Sequence, residues 1–372
     1  MDPKVILETA VHREEITAIE ALMLMQEGSG ILKDIFQAAD ALNRRAHGNR
    51  VTFVRSKQIN YTNVCRAECS FCPFWKKKGN RAAYALSPAE VVRQIRDAHG
   101  LRQITLQGGL NPDLTLSYHL DMLRTVKSEY PEIHIQGYSP SEIHFISRRA
   151  RASHADTLRR MREAGLDSLS GDSADILNDK IRKKLAPDKL RTNDWIDIIR
   201  TAHRIGITTT ATMLFGHVED EIHVSEHLDI IKHIQRDTGG ITAFEPIPFV
   251  PARTDLARSR KLKTPTANDY LRVVAIARIF YGKTIRNITV DWTKFGLDVA
   301  ARALGVGAND IGPVSVDAHE IRSPHANGRL TIPIPSLQAA IRGAGRVPVE
   351  REPYSSKSLP FKPRKEEMVL AY

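Results

Sequence analysis

Three cysteines, Cys65, Cys69 and Cys72, are the residues of this chain best suited to metal chemistry. They follow the spacing C-x3-C-x2-C, and no other cysteine occurs among the 372 residues. Thiolates bind zinc or iron–sulfur clusters, but a closed zinc site takes four protein ligands and a [4Fe–4S] cluster has four irons. Three thiolates would therefore leave one iron of such a cluster open to a further ligand.

The three cysteines also allow two alternative assignments from the residues alone. In the first, a histidine such as His47, His99 or His134 completes a Cys3His zinc site. In the second, the thiols are unrelated buried side chains. No second pair of soft ligands follows at the spacing of a zinc finger, and all the cysteines fall within one short loop. The spacing therefore favours an iron–sulfur cluster with an open iron.

Length and composition predict a globular protein with a large core. The chain is 42% hydrophobic and 26% charged, and its size suits one large α/β barrel or two ordinary domains. Its apolar runs are broken well before the length of about 18 residues that indicates a transmembrane helix, and its first residues contain no apolar signal core. We expect no membrane association and a cytoplasmic location, because a reducing cytosol keeps thiolates available for metal.

The formal net charge of +11 raises the question of a nucleic-acid partner. The basic residues are scattered along helical stretches, as at Arg148-Arg149 and Lys183-Lys184, and they are not interleaved with aromatic residues. The sequence contains no recognised nucleic-acid-binding module. A small-molecule substrate that bears a carboxylate explains the charge as well, so nucleic acid is the less favoured partner.

The hydrophobic pattern predicts repeated βα units after a helical start. Residues 1–50 carry apolar positions at helical spacing, interrupted at Gly28-Ser29-Gly30. Apolar β-like runs then alternate with helical stretches, which is typical of an α/β fold of the (β/α)8 TIM type, complete or nearly complete. An open doubly wound sheet is disfavoured because no G-x-G-x-x-G follows a strand. The predicted strands are 51–54, 58–63, 103–109, 133–138, 168–171, 208–216, 242–249, 287–292 and 310–314, and the predicted helices are 88–99, 117–128, 153–164, 193–205, 222–237 and 268–280.

This pattern divides the chain into four parts. We expect an N-terminal helical segment over residues 1–50 and the barrel over 51–315. A C-terminal loop and helix that close the barrel would span 316–354, and a flexible tail would span 355–372. The tail is rich in proline, lysine and serine, a composition that disfavours a packed structure.

Polar residues follow several predicted strands, at the end where a TIM-type barrel carries its chemistry. Gly108 and Gly109 end one strand, and adjacent glycines allow a ligand to approach the backbone closely. Glu142, Asp172 and Glu219 follow later strands. Each carboxylate could instead be a helix cap or first-turn residue, and the glycines could form a plain turn. Together with the cysteine loop, these positions predict a shared site at one mouth of the barrel.

The cysteine spacing, with the aromatic residue Phe71 before the last cysteine, resembles the radical S-adenosylmethionine (SAM) superfamily. The resemblance implies a [4Fe–4S] cluster held by Cys65, Cys69 and Cys72, with SAM bound at the fourth iron. Transfer of one electron to SAM would yield a 5′-deoxyadenosyl radical, and a one-electron donor such as flavodoxin or ferredoxin would be a partner. The barrel would position the reactants and exclude water.

The same resemblance implies a set of SAM contacts at the strand ends. Gln107-Gly108-Gly109 stands where the superfamily binds the methionine amino group. The stretch from Thr212 to Glu219 resembles its adenine-side pattern, although Thr212 replaces the first glycine. The implied cofactor-binding residues are Phe71, Gln107, Gly108, Gly109, Glu142, Asp172, Gly216 and Glu219.

Further motifs between about residues 50 and 350 resemble one subgroup of this superfamily. The subgroup comprises dehypoxanthine futalosine cyclase and aminofutalosine synthase of menaquinone biosynthesis, and the tyrosine-dependent subunit of deazaflavin synthase. The approach to Cys65 and the turn at 111–114 resemble the cyclase most, whereas residues 187–190 and 246–250 resemble the deazaflavin subunit. Residues 170–175 and 313–320 depart from all three, and we expect these departures to touch the substrate.

The cyclase reaction is the main hypothesis, with the deazaflavin reaction and aminofutalosine synthesis as alternatives. The adenosyl radical would take hydrogen from the ribose C4′ of dehypoxanthine futalosine, and the carbon radical would add to the benzoate ring. Loss of an electron and a proton would then restore aromaticity. The proton requires a base, for which the candidates are Asp172, Glu245, Asp291 and His319. A hypothesis from another class is a non-catalytic metal-binding or nucleic-acid-binding protein that uses the cysteines as a structural clip.

Overall fold

A computed structural model describes residues 2–96, 98, 100–262, 264–315 and 331–354. Its strands are β1 (Arg50–Thr62), β2 (Gln103–Gly108), β3 (His134–Gly137), β4 (Ser168–Leu169), β5 (Thr208–Phe215), β6 (Ile241–Pro248), β7 (Asp310–Ser315) and β8 (Val347–Glu350). Its helices are α1 (Pro3–Arg13), α2 (Ala18–Gln26), α3 (Leu32–His47), α4 (Pro88–Arg96), α5 (Leu116–Glu129), α6 (Pro140–Ala150), α7 (His154–Glu163), α8 (Asp179–Leu185), α9 (Thr192–Arg204), α10 (Glu221–Thr238), α11 (Asp255–Ser259), α12 (Ala267–Tyr281), α13 (Trp292–Phe295), α14 (Leu297–Leu304) and α15 (Ile334–Gly343), with a short 3-10 helix at Ser29–Ile31. The predicted tail and His319 lie outside the described residues.

A parallel sheet forms the centre of the molecule. Its strand order is β6-β5-β4-β3-β2-β1-β7, and β8 pairs in parallel with the first residues of β1. Residues 287–290 take the remaining place between β6 and β7, since the Thr289 N–H donates to Phe244 O at 2.9 Å and the Val290 N–H donates to Asp310 O at 3.0 Å. This ring of parallel strands confirms the predicted (β/α)8 TIM-type barrel.

Side-chain caps set the start of several helices of the barrel. Thr115, Ser153 and Asp220 each accept a hydrogen bond from a backbone N–H in the first turn of α5, α7 and α10. These bonds satisfy donors that a helix N-terminus leaves free. Helix α10 ends at Gly239, whose φ of 68° lies in the left-handed region that glycine tolerates. The chain thereby turns back directly into β6.

The N-terminal helices pack on the outside of the barrel, against α10 and α12. Leu24 and Ile35 are fully buried in this contact layer, and the Lys232 ammonium donates to Ile16 O at 3.0 Å. The predicted helical start is therefore present, while the four-part division of the chain stays a prediction. In the described part of the chain, none of the helices combines the length and apolar character that crossing a bilayer requires.

The observed elements differ from the predicted ones in several places, and α8, α11, α13 and α14 are not among the predicted helices. Residues 51–54 and 58–63, predicted as two strands, are joined in the single long strand β1, which ends at Thr62. Residues 287–292, predicted as a strand, pair only through isolated bridges. The pattern does not predict α6, which begins at a capping box between Ser139 and Glu142. It also does not predict β8, because this strand is short, partly exposed and contains Pro348.

Candidate active site

A cavity of about 450 Å³ lies inside the barrel. It is lined from the cysteine loop at the strand ends down to mid-strand positions such as Ser56. The carboxyl ends of the strands are the end at which TIM-type barrels carry their active sites. The sequence-predicted residues that line this one cavity are Cys65, Cys69, Phe71, Cys72, Gln107, Gly108, Gly109, Glu142, Asp172, Glu245 and Asp291.

Backbone hydrogen bonds hold the cysteine loop against the barrel. The Cys65 N–H donates to Lys76 O at 3.2 Å. The Ser70 N–H and the Ser70 hydroxyl each donate to Leu185 O at 2.9 Å. All three thiols are free of disulfides. The loop is therefore shaped by its own backbone contacts as well as by any ligand of the thiols.

The donor set fits an iron–sulfur cluster better than a single zinc ion. Within the described ranges, no three His, Cys, Asp or Glu side chains are grouped closely enough to hold one metal ion. Of the candidate fourth zinc ligands, His47 contacts Arg286 O and His134 contacts Ser168 Oγ, while His99 lies outside the described residues. Thiolates that hold a four-iron cluster stand farther apart than the ligands of one ion. The three thiols on one loop that borders the cavity are the donor type that holds such a cluster.

Gly109 sets the closest approach between the end of β2 and the cysteine loop. Its N–H donates to Thr62 O at 3.0 Å. A Cβ on this residue would overlap Val64 O and would lie 2.7 Å from the Cβ of Cys65. The position therefore requires glycine because of space, and the sequence-based expectation of a close backbone approach applies here to the protein's own loop.

Gly109→Ala is expected to displace the cysteine loop and to reduce the iron bound per chain. The free energy of unfolding should fall by about 1–3 kcal/mol, which is the usual cost of overpacking. Gly28→Ala is a matched control, because a Cβ at that position meets nothing within 4 Å. Iron analysis and denaturant unfolding of both variants provide the measurement. Equal iron content and equal stability in the two variants would contradict this account of Gly109.

Glu142 fixes the end of β2 through hydrogen bonds to its carboxylate. Its carboxylate accepts hydrogen bonds from the Tyr61 hydroxyl at 2.6 Å, the Gly108 N–H at 3.0 Å and the Ser139 N–H at 2.7 Å. Burial raises the pKa of Glu142 to about 7, while these donors act in the opposite direction. Because both oxygens already have protein donors, we propose that Glu142 is a positioning residue that fixes Gly108.

Lys189 is a site residue that sequence reasoning missed. Its ammonium lies 2.7 Å from the Asp175 carboxylate and 5.3 Å from the centre of the Phe71 ring. Burial alone would raise the pKa of Asp175, but Lys189 and Arg182 outweigh this effect and lower it. Burial raises the pKa of the Cys69 thiol, with Lys189 acting in the opposite direction. The pair ties the divergent segment 170–175 to the cysteine loop.

Lys189→Met is expected to lower the free energy of unfolding by about 3 kcal/mol, because it leaves a buried carboxylate without its nearest cation. Arg182 lies 3.6 Å from Asp175 and remains as a second cation. The loss in free energy of unfolding should therefore lie at the lower end of the range for broken buried ion pairs. Lys78→Met is the control: Lys78 lies at the same 2.7 Å from Asp113, but both side chains are more than half exposed. That change should cost less than about 1 kcal/mol. Urea unfolding measures both, and equal losses would refute the role given to burial.

Asp172 and Gln107, both predicted SAM contacts, lie in one hydrogen-bond network. The Ser170 hydroxyl donates to Asp172 Oδ2 at 2.7 Å, and the Gln107 amide donates to the same oxygen. Gln58 Nε2 donates to Gln107 Oε1 at 3.1 Å. Burial raises the pKa of Asp172, and its two donors act in the opposite direction. The carboxylate therefore orients the Gln107 amide at the cavity wall.

Asp291 and Glu245, both candidate bases, differ in their surroundings. Asp291 accepts from the Thr293 N–H at 2.8 Å and lies 3.1 Å from the Lys294 ammonium. Burial would raise the pKa of Asp291, but Lys294 outweighs it and lowers the pKa. Glu245 is partly buried, and its side chain makes no hydrogen bond to any described residue, although its backbone lies in the ladder between β5 and β6. Burial, followed by the charges of Asp291 and Asp172, raises the pKa of Glu245 well above its usual value.

Gly216 and Glu219 lie beside each other but do not line the described cavity. The Glu219 carboxylate accepts hydrogen bonds from the N–H groups of Gly216 and His217, and it lies 2.6 Å from His217 Nδ1. Burial would raise the pKa of Glu219, but His217 outweighs this effect and lowers the pKa to about 2. In the structure this group stabilises the turn after β5. The role of both residues as cofactor contacts stays a prediction, as does that of His319.

Every cation that lines the described part of the cavity faces a carboxylate. Besides Lys189 and Lys294, Arg351 donates to Asp310 through Nε at 2.9 Å and through Nη2 at 3.2 Å. Arg351 directly follows β8. Because β8 was not predicted from the sequence, the position of Arg351 at the cavity could not be predicted either. The positive net charge of the chain therefore places no unpaired cation on the described lining of the cavity.

Two family models match the chain. A model of the radical SAM superfamily matches residues 59–231, and a model described as the CofH/MqnC C-terminal region matches residues 238–362. The first match contains the cysteine loop and strands β2 to β5. The second contains strands β6 to β8, with the carboxylates Glu245 and Asp291.

Two solved structures share the fold over most of the chain. Methylornithine synthase (PylB) has a TM-score of 0.74 at 18% identity, covering 93% of this chain and 98% of its own. The [FeFe]-hydrogenase maturase HydG has a TM-score of 0.71 at 16% identity, covering 93% of this chain and 75% of its own. At these identities the likeness concerns the barrel alone.

Several similar proteins carry the name 5-amino-6-(D-ribitylamino)uracil--L-tyrosine 4-hydroxyphenyl transferase. The protein from Methanothermobacter thermautotrophicus is 35% identical over 352 residues, covering 94% of this chain and 96% of its own. The protein from Methanocaldococcus jannaschii is 36% identical over 357 residues, covering 94% and 98%. That from Trichormus variabilis is 35% identical over 375 residues, covering 96% and 94%. The chain therefore belongs to the radical SAM superfamily, within the CofH/MqnC group, and is an enzyme that uses a [4Fe–4S] cluster and SAM.

Proposed function

We propose that this chain joins the 4-hydroxyphenyl-bearing part of L-tyrosine to 5-amino-6-(D-ribitylamino)uracil in deazaflavin synthesis. The observation that carries the proposal is the similarity, at 35–36% identity over 94% of the chain, to transferases of that name. It favours the deazaflavin alternative over the futalosine cyclase that the sequence motifs place first. The correction concerns the substrate, because the cysteine loop determines how a radical is made and says little about what the radical attacks.

The interior of the barrel suits a substrate with many hydrogen-bonding groups. TIM-type barrels usually fill their interior with bulky branched apolar side chains. A cavity of about 450 Å³ is also in the usual range for small-molecule sites. A pyrimidine with a ribityl chain presents carbonyl, amino and hydroxyl groups to such a surface. The uncharged polar residues that line the described cavity along the strands are Ser56, Gln58, Asn60, Gln103, Thr105, Gln107, Gln136, Ser170, Thr210, Thr212, Thr289 and Ser315.

The cysteine loop supplies the cofactor end of this site. Cys65, Cys69 and Cys72 would hold the cluster, which with SAM supplies a 5′-deoxyadenosyl radical when both are bound. Gly109 and the loop hydrogen bonds keep the thiols at the cavity, and the barrel wall shields the reacting groups from water. A reducing cytosol and a one-electron donor such as flavodoxin or ferredoxin would complete the system.

Glu245 is the residue that we propose as the base. Addition of a carbon radical to the pyrimidine ring, followed by loss of one electron, for which the oxidised cluster would be the acceptor, leaves a proton that a base must accept. Asp172 and Asp291 already accept hydrogen bonds from the protein, whereas the Glu245 carboxylate accepts none from the described residues. A carboxylate with a raised pKa is also a stronger proton acceptor than an ordinary one.

The choice of substrate can be tested with reconstituted protein, SAM and dithionite. We expect L-tyrosine and 5-amino-6-(D-ribitylamino)uracil to be consumed together and dehypoxanthine futalosine to be unchanged. Consumption of the futalosine instead would restore the cyclase hypothesis. If 5′-deoxyadenosine formed without loss of any of these compounds, the superfamily chemistry would stand and the proposed reaction would not.

A further inference from the structure

Two buried hydroxyls deep in the barrel have no hydrogen-bond partner among the described residues. Ser56 of β1 and Ser315 of β7 are 2% and 9% exposed, and both line the cavity. They are partners in the register of the two strands. A buried hydroxyl without a partner is unfavourable by about 1–3 kcal/mol. Two such groups on neighbouring strands of one cavity indicate a place where a ligand supplies the missing hydrogen bonds.

Ser56 lies far along β1 from the cysteine loop, and Ser315, the last residue of β7, is its register partner. Ser56 precedes Thr62, the last residue of β1, by six positions, which corresponds to about 20 Å along a strand. On the other side of Ser56, its register partner in β2 is Gln103, whose amide donates to Gln136 at 3.0 Å. We call this region, lined by Ser56, Gln103, Gln136, Ser315, Asp310 and Arg351, the deep end of the cavity.

The charges at the deep end indicate a neutral ligand. Asp310 is fully buried and accepts hydrogen bonds from Arg351, from the Thr52 hydroxyl at 2.6 Å and from the Thr289 hydroxyl at 3.1 Å. Arg351 also lies 3.6 Å from the centre of the Tyr354 ring. Because the two charges compensate each other, a charged ligand group would lack a counter-ion among the described residues and would be costly to bury.

We propose that the deep end binds a neutral polyol chain. If the proposed function holds, this chain is the ribityl group of 5-amino-6-(D-ribitylamino)uracil, and the pyrimidine ring lies nearer the cysteine loop. A polyol hydroxyl both donates and accepts, as a serine hydroxyl does. Ser56 and Ser315 stand on adjacent strands, about 4.8 Å apart.

Calorimetric binding to the reconstituted enzyme tests this assignment with two probes. One is 5-amino-6-(D-ribitylamino)uracil, and the other is the same pyrimidine with a bare amino group in place of the ribityl chain. Ser56→Ala and Ser315→Ala should each weaken binding of the first probe by about three- to tenfold and leave the second unchanged. Thr208→Val is the matched control, because the Thr208 hydroxyl is also buried and unpartnered among the described residues but does not line the cavity.

The remaining outcomes each have a definite meaning. If Ser56→Ala and Ser315→Ala leave both affinities unchanged, the hydroxyls hold water only and the proposal is wrong. If they weaken both probes equally, or if Thr208→Val has the same effect, a polyol site at the deep end is likewise refuted. Product formation from tyrosine by the wild type is measured separately. A polyol preference without product would overturn the proposed function and leave the deep-end site standing.

Discussion

Replacement of Cys69 by alanine is expected to remove the iron–sulfur cluster and all product formation. Cys69 is 8% exposed and lines the cavity together with the other two thiols. Loss of a hydrogen-bonding partner of a metal ligand alone typically costs about 10- to 100-fold in affinity or activity. Loss of one of only three ligands should therefore have a larger effect. Iron per chain, the visible absorption of the cluster and 5′-deoxyadenosine formation provide the measurement.

Ser70→Ala is the control within the same loop. The Ser70 hydroxyl bonds only to Leu185 O in the described structure and does not line the cavity, so this variant should keep its iron. In both variants the barrel should unfold at the same temperature as in the wild type, because backbone hydrogen bonds hold the cysteine loop. Unfolding of the whole barrel in Cys69→Ala would favour a structural clip instead. Full iron content in that variant would contradict the assignment of the ligands.

Glu245→Gln is expected to lower the rate of product formation by about a hundredfold to ten-thousandfold, which is the usual contribution of a general base. Formation of 5′-deoxyadenosine and binding of both substrates should persist, because the amide keeps the shape of the side chain. Mass spectrometry of product and calorimetric binding separate these effects. Glu132→Gln, a change in an exposed loop residue, should leave all of them unaltered.

The pH dependence gives a second readout of Glu245. Its pKa is raised by burial and by neighbouring carboxylates, and only the deprotonated form can accept a proton. The wild-type rate should therefore rise with pH through this raised pKa, and the rising limb should be absent in Glu245→Gln. The protonated carboxyl also favours the folded state, so its contribution to stability is present below the ordinary glutamate pKa and is lost as pH rises through the raised one. A wild-type profile that Glu245→Gln leaves unchanged would disprove the role as base.

The cysteine site was accessible from sequence because its residues are neighbours in the chain. Cys65, Cys69 and Cys72 occupy one loop, so their spacing alone limits the metal chemistry. The barrel was accessible for a related reason, since each βα unit repeats a local pattern of apolar strand and amphipathic helix. Residues 287–292 were predicted as a strand, and residues 287–290 take that place in the ring, although they pair only through isolated bridges to two different strands.

The partners of the site residues could not be predicted, because they come from distant parts of the sequence. Arg351 reaches Asp310 only because β8 pairs with the start of β1. Lys189 reaches Asp175 and Phe71 from the loop after α8. Such contacts depend on tertiary packing and leave no periodic signal in the sequence.

The divergent segment 170–175 illustrates the same limit at the level of single residues. Asp172 was a predicted site residue and Asp175 was not, but both line the cavity, in different surroundings. Asp172 contacts Gln107 and Ser170, whereas Asp175 pairs with Lys189 beside the cysteine loop. The sequence indicates that this segment is unusual, and only the structure distinguishes a cavity hydrogen bond from a buried ion pair.

Transfer of label from tyrosine tests the central claim most directly. Reconstituted enzyme would be incubated with ring-labelled L-tyrosine, 5-amino-6-(D-ribitylamino)uracil, SAM and dithionite under anaerobic conditions. We predict a product that contains both the labelled 4-hydroxyphenyl ring and the intact ribityl pyrimidine, in an amount that depends on Cys69. A product without the labelled ring, or conversion of dehypoxanthine futalosine by the same preparation, would contradict the proposed reaction.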